Sequence, residues 1–486
     1  MARAAPRARR RVNDLLRGSA ADMARAVRDR EVSPVELVQA HIDRAEQVKD
    51  LNIVVLPRYE QALEEARAAE KELSDAISVG PLHGVPFTAK ECIEVAGMPC
   101  CDGSKIFEGN VSTQDATVVR NLRDTGAILI GKTNIPEFAM HYDSNNLVYG
   151  ATRNPHDPER SVGGSSGGEG AALATCITPI GVGSDYGGSI RVPAHFNGVL
   201  GLRPGRWVVP YAGHFPHAQV MTVQLWSEIG PMARYVDDLQ LVLPIFAKPD
   251  PARDPDVMPH RVQPDQPQDL TIAVFSDDGL CPVHPALRDA VARVGNALAE
   301  RGHEVVNERP PHQADVREIF EGLALAETAA LLGPIAEPRK DELSPQIQRL
   351  FRRVEQADTT LAGYAGRLAA RLDLERAVCG WLERHQIAVC PVSATPAFPL
   401  GTETLDVEGT EYEEVDLFSL STFVNAMGLP AAAVPVGRTG DGLPIAVQVI
   451  GRRYREMEVL AIAKELEEAF GGWIEPDLTP AATSGA

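Results

Sequence analysis

The sequence of 486 residues predicts an α/β protein in which helices cover a sheet, and three observations carry that expectation. Short apolar runs alternate with helical segments from Ile53 to Ile130. The same β-α-β rhythm returns from Thr271 to Val306. Between them, Val162 to Pro204 is rich in Gly, Ser and other small residues, yet it is interleaved with apolar segments and so does not read as a flexible linker.

In order along the chain, Ser19 to Asp22 reads as a helix start. Ser33 to Glu36 reads as a second, with Ser at the cap, Pro34 in the first turn and Glu36 reaching back. The helix that follows presents Val35, Val38, Ile42 and Ala45 on one side, so it packs on something larger. Next come an apolar run at Ile53 to Leu56, a helix near Glu60 to Asp75, a run at Val85 to Ala89, a helix near Asp115 to Asp124 and a run at Ala127 to Ile130. Later elements are the run Thr271 to Phe275, a helix from Pro285 to Arg301 closed by Gly302, and the run Glu304 to Val306. The Pro-rich stretch Lys248 to Gln268 reads as a surface connection, and no internal repeat is found. One domain is expected over residues 19–472, between a flexible basic tail at 1–18 and a polar flexible tail at 473–486.

A composition of 44% hydrophobic and 23% charged residues suits a globular enzyme with a large core. The net charge of −20 argues against a nucleic-acid partner, since such binders rely on clustered Lys and Arg. A small neutral or cationic molecule fits better. The seven cysteines (Cys92, Cys100, Cys101, Cys176, Cys281, Cys379 and Cys390) lack the spacing of a zinc site, and a reduced, cytoplasmic protein without metal is expected. No stretch approaches the ~20 apolar residues that cross a bilayer. Arg9 to Arg11 lead into Val12, Asn13 and Asp14, which form no secretory apolar region.

Two motifs are rejected on physical grounds. Gly126 to Thr133 fits the phosphate-loop pattern G-x-x-x-x-G-K-[ST], but the Ala, Ile, Leu and Ile between its glycines belong in a strand and cannot cradle an anion. Gly163 to Gly167 fits the nucleophile elbow G-x-S-x-G, but Asn154 to Arg160 ahead of it holds two prolines and mostly polar side chains instead of a buried strand. A triad of that type also needs a late His, and none follows His385.

In Ser184 to Arg191 a serine stands behind two glycines. Residues without side chains let consecutive N–H groups approach a developing oxyanion while Ser189 attacks from the end of the same turn. Alone, this pattern also describes an ordinary turn with a surface serine. The reading turns on its combination with Val162 to Gly170, in which Ser165 lies 24 residues before Ser189, and with Pro86 to Glu91. In order, spacing and wording these segments resemble the amidase signature family. Gly131 to Phe138, Gly230 to Arg234, Gly428 to Pro430 and Gly442 to Gly451 extend the resemblance, which runs from Ser19 to about Gly471. The wording of Gly167 to Gly170 and of Lys90, Glu91 and Cys92 looks closest to fatty-acid-amide-hydrolase-like members, and the chain as a whole resembles bacterial amidases of that kind, aryl acylamidases and urethanases.

The resemblance implies an α/β/α sandwich around a large mixed sheet and a Ser-Ser-Lys triad working through a covalent acyl-enzyme without metal or organic cofactor. Ser189 is then the nucleophile and Lys90 the base. Ser165, after a cis peptide bond in the family, relays the proton. A serine hydroxyl needs such a base, and a lysine can serve only when burial favours its neutral form. Backbone N–H groups of Tyr186, Gly187, Gly188 and Ser189 would form the oxyanion hole, with Ser166, Asp185 and Arg191 as the supporting polar network. Expected substrates are small amides, with carbamates within reach because they share the carbonyl and the nitrogen leaving group; a homodimer stays open.

Tyr186 stands where relatives carry a smaller or aliphatic residue, and Gly205, Arg206 and Trp207 depart from the usual shorter turn. Tyr211, Phe215, Met221, Leu225 and Trp226 either wall a pocket or pack in the core. The alternative function is the glutaminase-type A subunit of a glutamyl-tRNA amidotransferase, although its glutamine-recognition segment is not found between Ile335 and Ala369.

Overall fold

The computed structural model describes residues 14–75, 78–217, 220–257, 269–407 and 409–478. Its centre is a sheet of 11 strands. We number these β1 (Val54–Pro57), β2 (Pro86–Lys90), β3 (Ile128–Thr133), β4 (Ile180–Asp185), β5 (Leu200–Arg203), β6 (Glu228–Ala233), β7 (Thr271–Val274), β8 (Glu304–Asn307), β9 (Ile387–Pro391), β10 (Ala431–Arg438) and β11 (Pro444–Gly451). Their spatial order is β1-β3-β2-β4-β6-β5-β10-β11-β9-β7-β8. The sheet is mixed: β3, β2 and β4 run parallel, as do β9, β7 and β8, while β6, β5, β10 and β11 pair antiparallel with their neighbours. β2, β3, β4, β9 and β11 are buried along their whole length, which explains their continuous apolar runs.

Helices cover the sheet in an α/β/α sandwich. Glu456–Phe470 packs against both Val236–Phe246 and Pro285–Glu300, and the three helices lie on β6, β10 and β11. Gly167–Ala174 and Arg191–Asn197 form a second pair packed on β2, β4, β10 and β11. Ser19 and Ser33 both close capping boxes, with Asp22 and Glu36 reaching back as the sequence pattern requires. The helix Pro34–Gln47 lays Val38, Ile42 and Ala45 against Ala62 and Ala66 of Tyr59–Ser74 and against Ile128 and Ile130. Each expected element from Ile53 to Ile130 and from Thr271 to Val306 forms, with boundaries shifted by a few residues.

Gly126 to Thr133 forms no anion loop. It enters β3 directly, and the buried Lys132 donates to the Pro99 carbonyl at 2.7 Å. Residues 1–13, 258–268 and 479–486, which include most of both expected tails and part of the Pro-rich connection, lie outside the described residues. The carbonyls of Leu16 and Gly18 accept from Arg234, and Ile474 N–H donates to the Gly198 carbonyl, so the inner ends of both expected tails are tied to the body. Among the described residues no single helix is long and apolar enough to cross a membrane; one pair bent by 47°, Gln313–Leu331 with Gly333–Glu342, passes on length and composition, yet its Val316, Ile319 and Leu323 are buried.

Candidate active site

Parallel pairing of β2 and β4 sets their C-terminal ends side by side, the edge of an α/β sheet at which ligands bind. Lys90 ends β2 fully buried, with Nζ 2.5 Å from Ser165 Oγ and 2.9 Å from Ser184 Oγ. Burial lowers the Lys90 pKa; Cys92, Asp102, Asp185 and Glu169 act in the opposite sense and are outweighed. The amine is therefore biased toward the neutral form a base requires.

Ser165 comes from the loop before Gly167–Ala174, after a cis Gly164–Ser165 peptide. Only glycine fits ahead of it, because a Cβ on Gly164 would stand 2.2 Å from the His141 carbonyl oxygen. Ser166 N–H donates to the Ser189 carbonyl at 3.0 Å, and Ser166 Oγ exchanges two 3.2 Å bonds with the Ser184 backbone. That residue thus stitches the Ser165 loop to both the end of β4 and the Ser189 turn. Among the described residues no hydrogen bond joins the Ser165 and Ser189 hydroxyls, and Ser189, 7% exposed, is the most open of the three expected triad residues.

Asp185 organises the turn that carries Ser189. Its carboxylate accepts from Gly188 N–H at 2.7 Å and Ile190 N–H at 3.1 Å, and pairs with Arg191 through Nε and Nη2, each at 3.0 Å. Burial disfavours the charge on Asp185, but the Arg191 guanidinium prevails and holds the carboxyl below the usual carboxylate range. Arg191 in turn donates to Gln448 Oε1 at 2.6 Å, Asn425 Oδ1 at 2.5 Å and the Ser421 carbonyl at 3.1 Å. Of the four N–H groups expected to form the oxyanion hole, that of Gly188 donates to Asp185. The N–H groups of Tyr186, Gly187 and Ser189 donate to no other described residue.

Aromatic side chains stand over this turn. Tyr142 Oη donates to the Gly187 carbonyl at 2.7 Å, and its ring stacks on Phe418 at 3.7 Å. A methyl on Gly187 would meet Tyr142 Oη at 3.0 Å, Thr422 Cγ2 at 3.4 Å and Phe320 Cζ at 3.5 Å. Phe320 stacks on Trp226 at 4.9 Å and contacts Tyr186 at 5.6 Å. Of the aromatic segment expected from sequence, only Trp226 belongs to this group, and it lies behind Phe320, fully buried. Phe215 and Leu225 are core residues, Met221 is exposed, and Tyr211 stacks on His214 at 4.8 Å. Arg206 anchors the departing turn, donating to the Leu225 carbonyl and to Glu375 at 2.8 Å.

Several site residues escaped sequence reasoning. Ser184 sat inside a recognised segment, but nothing local marked it as a partner of Lys90. His214 joins Ser184 Oγ through Nε2 at 2.9 Å. Glu169 is buried between Thr88 and Thr133, each donating at 2.8 Å, and burial pushes its carboxyl up to about 8. Asn425 and Gln448 come from the far end of the chain. Among the described residues no group of three His, Cys, Asp or Glu is arranged to hold a metal ion.

Comparison with known proteins places the whole chain beside one family. Residues 36–460 match the family model described as Amidase. An indoleacetamide hydrolase of Bradyrhizobium diazoefficiens is 34% identical over 459 residues, covering 93% of this chain and 86% of the relative. Fatty-acid amide hydrolase 2 of Homo sapiens is 31% identical over 518 residues, covering 95% and 91%. The structure of 6-aminohexanoate cyclic dimer hydrolase complexed with substrate superposes with a TM-score of 0.82 at 27% identity, covering 95% of this chain and 99% of that one.

Proposed function

The chain belongs to the amidase family, and from that premise we propose that Ser189 attacks the carbonyl of an amide or carbamate after Lys90, acting through Ser165, takes its proton. The observation that carries the reading is the Lys90 amine, buried and pushed toward neutrality 2.5 Å from Ser165 Oγ. As Ser189 Oγ bonds to the carbonyl carbon, its proton passes to Ser165 while the Ser165 proton passes to Lys90. The oxyanion lies against the N–H groups of Tyr186, Gly187 and Ser189, each such donor contributing ~2.7–4 kcal/mol in the transition state. Reversing the relay protonates the leaving nitrogen, and water then cleaves the acyl-serine ester. A carbamate presents the same carbonyl and the same kind of leaving nitrogen, so the same groups serve.

Tyr142, backed by Phe418, and Phe320 beside Gly187 support substrates with an aromatic or extended apolar group, as does likeness to an indoleacetamide hydrolase. Each CH₂ equivalent buried contributes ~0.8 kcal/mol, so a few separate substrates by roughly two decades. The test is kcat/KM for an anilide, a phenyl carbamate and glutamine, together with Ser189→Ala. The anilide and carbamate should be turned over well and glutamine poorly, with Ser189→Ala below about a hundredth of the wild-type rate. A preference for glutamine would favour the amidotransferase-subunit reading, and an active Ser189→Ala would move the nucleophile elsewhere.

A further inference from the structure

Lys90 has a second hydrogen-bonding arm that the triad does not use. Its Nζ is 2.9 Å from Ser184 Oγ, and that oxygen is 2.9 Å from His214 Nε2, with all three side chains buried. The His214 segment is fixed against the residues that follow Lys90: Glu94 N–H donates to the Gly213 carbonyl at 2.8 Å, and Phe215 N–H to the Cys92 carbonyl at 2.9 Å. Tyr211 lies flat against the imidazole, at 11° between planes.

We propose that Ser184 and His214 are positioning residues: His214 accepts the Ser184 proton, so that Ser184 accepts from Lys90 and the Lys90 lone pair is left facing Ser165. The argument concerns proton direction. A neutral amine has two N–H donors and one lone pair. A base needs that lone pair at the relay serine. Were His214 to carry its proton on Nε2, it would donate to Ser184 Oγ; the Ser184 hydroxyl would then point at Lys90 and occupy the lone pair. With the proton on Nδ1, Nε2 accepts from Ser184 and the lone pair stays available. A neutral imidazole is required for either arrangement, and burial, reinforced by Lys90, lowers the His214 pKa to about 3. The groups facing Lys90 are Cys92, Asp102, Asp185 and Glu169; those facing His214 are Lys90 and His217, with Cys92 Sγ 3.6 Å from Nε2.

This proposal rests on Lys90 being the base, so the experiment carries Lys90→Met beside the new variants. Ser184→Ala, Ser184→Thr, His214→Phe and His214→Gln are compared by kcat, KM and the pH dependence of kcat/KM on one anilide. Ser184→Ala and His214→Phe should lower kcat by roughly 10- to 100-fold with KM nearly unchanged, an effect of the size general-base alignment carries. Their acidic limb should move to lower pH, because the ammonium form of Lys90 loses an ordered acceptor. Ser184→Thr, which keeps the hydroxyl, and His214→Gln, which keeps an acceptor, should recover most of the rate, and Ser184→Ala with His214→Phe together should cost little more than either alone. Wild-type kcat and pH profile in Ser184→Ala or His214→Phe, with Lys90→Met inactive, would overturn the positioning role and leave the base intact. Additive losses, or losses without a shifted limb, would also overturn it. An active Lys90→Met would remove the base itself, and the proposal with it.

Discussion

Replacing Arg191 by Met tests how the Ser189 turn is held. Arg191 makes five hydrogen bonds in full burial, two to Asp185 and one each to Gln448, Asn425 and the Ser421 carbonyl. Met fills similar volume but leaves Asp185 without its counter-charge. Breaking one side of a buried pair costs ~3–5 kcal/mol, because the remaining charge stays desolvated. The loss should depend on pH. In the wild type the Asp185 carboxyl titrates below its usual range, so its contribution is present above the unfolded value of ~3.9 and vanishes as pH falls through the folded value. Without the guanidinium, burial raises the carboxyl above the unfolded value, so its charge opposes folding. The deficit should then be full near pH ~8 and shrink toward pH ~5 as Asp185 takes up a proton. Urea unfolding followed by tryptophan fluorescence at the two pH values measures this. A loss below about 1 kcal/mol, or one identical at both pH values, would refute the reasoning. Because Asp185 also fixes Gly188 and Ile190, kcat should fall by about 10²-fold or more even where the variant is fully folded.

Wild-type kcat/KM should rise with pH on the acidic side and level off below the ordinary lysine value of ~10.4, because burial lowers the Lys90 pKa. Lys90→Met should lose at least about 10³-fold in kcat and flatten that limb; a retained limb in a residually active variant would assign it to another group. Gly188→Ala places a Cβ 2.7 Å from Ser421 Cβ at a φ of 117°, and should cost ~1–3 kcal/mol of stability along with most activity. Equal unfolding midpoints for this variant and the wild type would show that the turn relaxes around the methyl.

The order of elements was legible because their signals are local. Capping serines, apolar runs and Gly302 mark boundaries that depend on a few neighbouring residues. Lys90, Ser165 and Ser189 were legible as candidates because each sits in a segment of distinctive wording. What surrounds them was not, because it is assembled across long separations. Tyr142 and Phe320 meet at the Gly187 turn from two distant segments, with Phe418 from a third stacked behind Tyr142, whereas the conspicuous run from Tyr211 to Trp226 mostly serves the core. The partner of the Gly188 N–H was hidden for a related reason: glycine marks freedom of approach, but only the fold reveals that Asp185 holds that N–H.

The strand order carries a consequence for synthesis. β10 and β11, drawn from Ala431–Arg438 and Pro444–Gly451, stand between the block built from β1 to β6 and the block built from β7 to β9. A chain emerging from the ribosome presents Lys90, Ser165 and Ser189 long before the strands that join those blocks, and before Asn425 and Gln448 can grip Arg191. The central pairing of the sheet and the polar grip on Arg191 are therefore completed only after Gln448 has emerged, so the Ser189 turn takes its final shape late in synthesis.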